Sequence, residues 1–134
     1  MNEPETIERI LALHTIAVVG CSANPARPSH RVAAYLQSQG YRIIPVNPGA
    51  KTILGETSYP TLLDIPGPVD VVDVFRRPEA VPAIVDATVQ IGARALWLQD
   101  GVIAPDSAKK AEAAGLWVVM DDCMLRQHSA RRSG

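Results

Sequence analysis

Short runs of continuous aliphatic residues alternate along this chain with longer segments in which apolar and charged positions recur at helical spacing. The aliphatic runs predict buried strands at residues 16–19, 41–47 and 69–75, a fourth strand that ends at Leu98, and a fifth at 116–120. Continuous Val, Ile and Leu without alternation is typical of strands that are covered on both faces. The runs therefore predict a parallel sheet.

The segments between the strands predict helices at 6–13, 29–39, 78 or 79 to 91, 105–114 and 121–130. Gly40, Gly92 and Gly115 stand where three of these helices should end. A brief extended edge strand is expected at 51–55, and a single helical turn at 60–64. The predicted fold class is α/β, a three-layer αβα sandwich with a mainly parallel sheet of five main strands plus a short edge strand.

Composition adds limits to this picture. The 134 residues suit a single domain over 1–134, and with 47% apolar but only 4% aromatic residues the core must be aliphatic. A net charge of −1 argues against a general nucleic-acid or membrane-surface binder, so any basic site must be local. The acidic N-terminus has no apolar signal core and no run approaches the roughly 20 residues that span a bilayer. A cytoplasmic protein is expected.

Candidate chemistry collects in the loops that follow the strands, at 20–27, 47–51, 75–78, 99–101 and 120–123. In open α/β sheets, ligands bind at the carboxyl ends of the strands, where the strand order reverses. Three carboxylates lie in the last two loops: Asp100, Asp121 and Asp122. Four cations lie in or beside the first three: Arg27, Lys51, Arg76 and Arg77. This grouping predicts a site for a phosphate-rich anion.

A nicotinamide dinucleotide fits the first loop poorly. The G-x-G-x-x-G pattern needs a second glycine so that the backbone can approach a pyrophosphate, and Ser22 stands at that place. Asn47 and Pro48 replace the carboxylate expected after the second strand. An NAD(P)-binding, oxidoreductase-like domain is kept as an alternative.

Several blocks together carry a family resemblance: VVGCSANPARPSHRVAAYLQSQGYRIIPVNP, ILGETSYPTLLDIP, VDVVDVFRRPEAVP, ALWLQDGV and AGLWVVMDDCM. In order and spacing they resemble the small, single-domain CoA-binding proteins. Those proteins are similar to the N-terminal CoA-binding domain of the succinyl-CoA synthetase alpha subunit. The likeness covers about residues 6 to 128.

This resemblance implies a Rossmann-like domain that holds coenzyme A or an acyl-CoA along the strand ends. By analogy, the loop 22–25 meets the diphosphate, Lys51 lies near a phosphate-contacting lysine, and Phe75, Arg76 and Pro78 border the adenine. The loop 99–101 corresponds to the next contact. The candidate cofactor-binding residues are Gly20, Cys21, Ser22, Ala23, Asn24, Pro25, Arg27, Asn47, Pro48, Lys51, Phe75, Arg76, Arg77, Pro78, Gln99 and Gly101.

The expected function is CoA binding without evident catalysis, in a carrier, a sensor or a subunit of a larger acyl-CoA system. The synthetase alpha chain has a second domain with a phosphorylated histidine that this sequence lacks, so that half-reaction is not carried over. No catalytic triad, metal cluster or acid–base carboxylate pair can be assembled. A homo-oligomer, a partner enzyme subunit, a CoA-dependent transferase that needs a partner chain, and a CoA-linked redox switch through Cys21 or Cys123 stay open.

Two structural expectations concern aspartates. Asp73 falls inside a strand that should be buried on both faces, where an unpaired carboxylate is costly, so we expect it to be paired or hydrogen-bonded. Asp121 and Asp122 precede the last predicted helix and are expected to cap its N-terminus.

Overall fold

The computed structural model describes residues 1–132, and in this part of the chain helices and strands alternate almost throughout. The last two residues of the predicted domain lie outside the described residues. The helices are α1 (Pro4–Leu11), α2 (Pro28–Ser38), α3 (Val81–Gln90), α4 (Pro105–Ala113) and α5 (Met124–Arg132). The strands are β1 (Thr15–Val19), β2 (Arg42–Val46), β3 (Thr52–Ile53), β4 (Glu56–Thr57), β5 (Val71–Val74), β6 (Ala95–Leu98) and β7 (Trp117–Val119).

Five strands form one parallel sheet in the order β2-β1-β5-β6-β7. In its centre Ala17 lies beside Ile44 on one side and Val72 on the other. The chain moves outward from β1 to β2 and then crosses back to β5 on the other side of β1. The strand order therefore reverses between β1 and β5, and their carboxyl ends flank the crevice where such sheets bind ligands. The predicted fold class is confirmed.

The sheet separates two apolar cores, because alternate residues of each strand point to opposite faces. Val72 and Leu96 belong to the core under α3 and α4, whereas Ile16 and Trp97 belong to the core under α2 and α5. Every residue of β1, β5 and β6 is buried. Because these strands are covered on both faces, their sequences are aliphatic throughout.

The edge segment folds differently from a simple edge strand. β3 and β4 pair with each other as a small antiparallel hairpin, and Tyr59, which follows the hairpin, forms an isolated parallel bridge with Val46 of the main sheet. The expected helical turn is a 3-10 turn at Leu62–Asp64, which Thr61 and Asp64 close with a capping box. Another 3-10 turn, Pro78–Ala80, precedes α3.

The last helix begins later than predicted, at Met124. Asp121 has a φ of 58°, a left-handed conformation that ends any helical path through it. The predicted capping roles of the two aspartates are wrong. Asp121 Oδ1 accepts the Gly101 N–H at 2.8 Å, and Asp122 Oδ1 accepts the N–H of Cys123 at 2.7 Å.

Across the described residues, none of the helices is long and apolar enough to cross a lipid bilayer.

Candidate functional site

Gly20 brings the ends of β1 and β5 into contact. Its φ is +82°, and a Cβ at this position would overlap the carbonyl oxygen of Phe75. Its N–H donates to the Val46 carbonyl at 3.0 Å. Only glycine meets both the conformation and the close approach, so this residue fixes how three strand ends converge.

The loop after Gly20 is held by its own short polar side chains. The N–H of Ser22 donates to Ser29 Oγ at 2.9 Å, and the N–H of Asn24 donates to Ser22 Oγ at 3.0 Å. The N–H of Ala26 then donates to Asn24 Oδ1 at 2.9 Å. These bonds give the loop a fixed shape before α2 begins.

Asn47 connects this loop with the turn after β2. Its Nδ2 donates to the Cys21 carbonyl at 2.9 Å, while its Oδ1 accepts the Gly49 N–H at 2.7 Å. Because both ends of the amide are engaged, Asn47 sets the distance between two walls of the site.

A cleft of about 1530 Å³ opens over these strand ends. Its walls come from the ends of β1, β2, β5 and β6, the first turn of α2, one flank of α3 and the start of α5. Most of the predicted binding residues line it: Gly20, Ser22, Arg27, Asn47, Pro48, Phe75, Arg76, Arg77, Pro78, Gln99 and Gly101.

The structure does not bring the other predicted residues to this cleft. Cys21 is fully buried beneath the loop, and 23–25 are exposed outside the lining. Lys51 is exposed near the β3–β4 hairpin, where its carbonyl accepts the Ser58 N–H at 2.9 Å. A ligand role for these five residues stays a prediction.

One end of the cleft is cationic. Arg27, Arg76 and Arg77 are exposed, and within residues 1–132 none of their side chains has an ion pair or a hydrogen bond. Arg31 also lines the cleft, and its Nη1 donates to the Ala26 carbonyl at 3.0 Å. We call these four arginines the cationic end.

Three carboxylates, Asp100, Asp121 and Asp122, follow β6 and β7 beside the cleft, and of these only Asp100 lines it. Arg126 donates to both carboxylate oxygens of Asp100, at 3.0 and 2.9 Å, and to Asp122 Oδ1 at 2.9 Å. These hydrogen bonds lower the pKa of Asp100 and raise that of Arg126. Arg126 is thus occupied by carboxylates of the chain itself.

Sequence reasoning missed the apolar wall of the cleft. This wall is built from the Leu62–Asp64 turn, the end of the Pro78–Ala80 turn and one flank of α3, and its residues are Leu62, Leu63, Ala80, Ala83, Ile84 and Ala87. Leu63 is 53% exposed although it is large and apolar. In the sequence, the spacing of three and four residues between Ala83, Ile84 and Ala87 could have indicated that these side chains share one face of the helix.

Gln99 has a structural bond in addition to its place in the cleft. The residue is 3% exposed, and its Oε1 accepts the N–H of Met124 at 3.2 Å. This bond satisfies one of the amides at the start of α5, which otherwise lack partners. Gln99 therefore fixes α5 against the end of β6.

The prediction that Asp73 is paired is wrong. Its side chain is completely buried on the α2 face of the sheet, and neither carboxylate oxygen has a hydrogen-bond partner among the described residues. Burial raises the pKa of Asp73 well above its usual range. Nearby Cys21 is also buried, and burial, with a smaller contribution from Asp73, raises the pKa of its thiol to about 11.

Comparison with protein families gives one match over most of the chain. Residues 14–129 match the family described as a CoA binding domain.

Two similar proteins extend over nearly the same length. The protein YneT of Bacillus subtilis is 38% identical over 117 residues, which cover 87% of each chain. A hypothetical protein from Pyrococcus horikoshii OT3 is 38% identical, with a TM-score of 0.90 over 94% of this chain and 89% of the other. Both are therefore similar to this chain in length, and the solved structure is also similar in fold.

A longer relative contains this domain as one part. The chain is 30% identical over 100 residues to acetate–CoA ligase [ADP-forming] II of Archaeoglobus fulgidus, covering 73% of this chain but only 15% of the ligase. The predicted likeness to succinyl-CoA synthetase is thus supported only at a distance, through an ADP-forming ligase.

Proposed function

Because the chain belongs to the CoA binding domain family, we propose that it binds coenzyme A or an acyl-CoA in the cleft over the strand ends, without catalysis of its own. The bound molecule would lie along the carboxyl edge of β1, β5 and β6. This arrangement suits a carrier, a sensor or a subunit of a larger acyl-CoA system.

The observation that carries the proposal is a set of three arginines in the cleft lining, Arg27, Arg76 and Arg77, which have no anionic partner among residues 1–132. CoA has a diphosphate and a ribose phosphate, and guanidinium groups bind phosphate oxygens with paired, charge-assisted hydrogen bonds. The site thus offers cations in the number that two separate phosphate groups require.

The first loop supports the same proposal. It places Ser22 and the first turn of α2 beside the cationic end, and amides at a helix N-terminus favour anions. The apolar wall offers a surface for the uncharged parts of the molecule.

The side chains that line the cleft include few groups able to act as a general acid or base. In the part of the chain that the structure describes, its lining contains no histidine, and its one carboxylate, Asp100, is held by Arg126. A general acid or base would have to come from elsewhere.

Calorimetric titration of the purified protein with CoA, NADH and ATP tests the proposal. We expect heat of binding with CoA at concentrations where NADH gives none. Binding of NADH without CoA would refute the proposal and favour the oxidoreductase-like alternative. Stronger binding of ATP than of CoA would show that the cleft recognises an adenine nucleotide and not the pantetheine arm, which would contradict the proposal.

A double variant, Arg76→Ala with Arg77→Ala, tests the role of the cationic end. If these side chains hold the ribose phosphate, CoA should lose about tenfold or more in affinity while dephospho-CoA loses little, because a hydrogen bond to a charged group contributes about 1.5–3 kcal/mol. Equal losses would assign them to the diphosphate instead. The matched control is Arg42→Ala with Lys109→Ala, which removes two exposed cations outside the cleft.

Cys123 supports a second candidate function, a thiol switch. It is half-buried and lines the cleft, whereas Cys21 is sealed and its raised pKa keeps the thiol protonated. With CoA disulfide as oxidant, the Cys123 thiolate would attack one sulfur, form a mixed disulfide and release one CoA thiol. Mass spectrometry should then find one CoA adduct on Cys123, and a Cys123→Ser variant should show none.

A further inference from the structure

His30 lies in the first turn of α2, and its ring contacts the loop that follows Gly20. Ring Nδ1 lies 2.9 Å from the carbonyl oxygen of Ser22. A carbonyl oxygen carries no proton, so the ring nitrogen is the donor of this hydrogen bond. His30 is half-buried and does not line the cleft, so its influence on a ligand must pass through Ser22, which does.

The backbone of Ser22 is fixed from both sides by the same helical turn. Its N–H donates to Ser29 Oγ at 2.9 Å, and its carbonyl accepts from His30. Ser29 is buried, so its bond to the loop is shielded from water. Neither of the two peptide groups that flank Ser22 can rotate without losing one of these bonds.

The hydroxyl of Ser22 still has a proton to donate. Its Oγ accepts the N–H of Asn24 at 3.0 Å, whereas its proton has no acceptor within residues 1–132. A hydroxyl can accept one hydrogen bond and donate another, and the bond that it accepts makes it a better donor. Ser22 therefore offers a neutral donor in the same cleft as the arginines of the cationic end.

We propose that His30 is a positioning residue for the ligand: through the Ser22 carbonyl, it holds the loop in the shape in which the Ser22 hydroxyl can donate to a phosphate. This inference rests on the proposed function. Without the bond from His30 the loop has more conformations available, and binding must then order it at a cost in entropy. Affinity falls although every group that touches the ligand is still present.

Substitutions that differ in where they place a donor test the role of His30. In His30→Asn the amide nitrogen lies as many bonds from Cβ as Nδ1 does, whereas in His30→Gln it lies one bond farther out. We expect His30→Leu and His30→Gln to weaken CoA binding about three- to tenfold in calorimetry, and His30→Asn to stay within about twofold of wild type. His14→Leu removes an exposed imidazole outside the cleft and is the matched control, which should change nothing.

A double-mutant cycle shows whether the effect passes through Ser22. In a Ser22→Ala background, His30→Leu should weaken CoA binding less than it does in the wild type, because the hydroxyl that His30 positions is gone. Losses that simply add in the double variant would show that His30 acts elsewhere, which contradicts the proposal.

The same titrations separate positioning from stability. Binding is measured at a temperature at which urea denaturation shows every variant to be folded, so a loss of stability alone leaves the affinity unchanged. Wild-type affinity in His30→Leu, or equal losses in His30→Leu and His30→Asn, would overturn the inference and leave the proposed function standing. A wild-type protein that does not bind CoA would refute the proposed function and this inference with it.

Discussion

Replacing Asp73 by asparagine should remove a large, pH-dependent cost in the stability of the fold. Asp73 lies between Val18 and Trp97 in the middle of the sheet and is 0% exposed, with both oxygens unpartnered within residues 1–132. Burial raises its pKa, so the folded chain holds this proton at pH values where the unfolded chain has released it. Ionisation therefore favours unfolding.

The size of the effect follows from linkage. Above the ordinary aspartate pKa of about 3.9, the folded state binds more protons than the unfolded state, so the free energy of unfolding falls as pH rises. The slope reaches about 1.4 kcal/mol per pH unit and continues until the pH passes the raised pKa of the folded state. Asparagine has nearly the same shape, stays neutral and carries no such slope. It should match the wild type near pH 4 and exceed it increasingly at higher pH.

Urea denaturation between about pH 4 and pH 9, read by circular dichroism, measures this difference. Other carboxylates also contribute to the pH profile of each protein, but they cancel when the wild-type curve is subtracted from that of Asp73→Asn. Asp106→Asn on exposed α4 should give a nearly flat difference. If the free energies of unfolding of the wild type and Asp73→Asn change in parallel with pH, the carboxyl is not buried in its neutral form. The same conclusion follows if the stability of the variant relative to the wild type falls between pH 4 and pH 8.

Three further substitutions test the loops that shape the cleft. Gly20→Ala should lower the free energy of unfolding by at least about 2 kcal/mol in chemical denaturation, because the left-handed φ and the overlap with Phe75 add together; a change under roughly 0.5 kcal/mol would contradict this. Gln99→Met should cost about 1–3 kcal/mol, since the first amide of α5 loses its buried acceptor, and faster hydrogen exchange at Met124 would locate the effect. Asn47→Ala should weaken CoA binding severalfold, a larger loss than its effect on the melting temperature would explain, because the substitution releases two loops of the cleft. Unchanged affinity would show that the loops keep their positions without Asn47.

The parallel sheet was predictable because strands buried on both faces must be aliphatic throughout, as residues 16–19 and 71–74 are. The start of α5 was not, because its limit depends on the left-handed conformation of Asp121 and on an acceptor from Gln99. Such local conformations depend on contacts with residues far away in the sequence, and hydrophobic periodicity carries no information about those contacts.

The sequence by itself determined the fold class and the edge of the sheet at which charged loops collect, because hydrophobic periodicity and the alternation of strands and helices are local properties of the chain. Its sequence motifs indicated the family. Only the tertiary structure decided which of those loops share one cleft. Among residues 1–132, it left the side chains of Arg27, Arg76 and Arg77 without partners and buried Asp73 without one. It also occupied Arg126 with Asp100 and Asp122. Whether a charge is available or satisfied depends on which distant residues meet it, and that is settled when the strands pack.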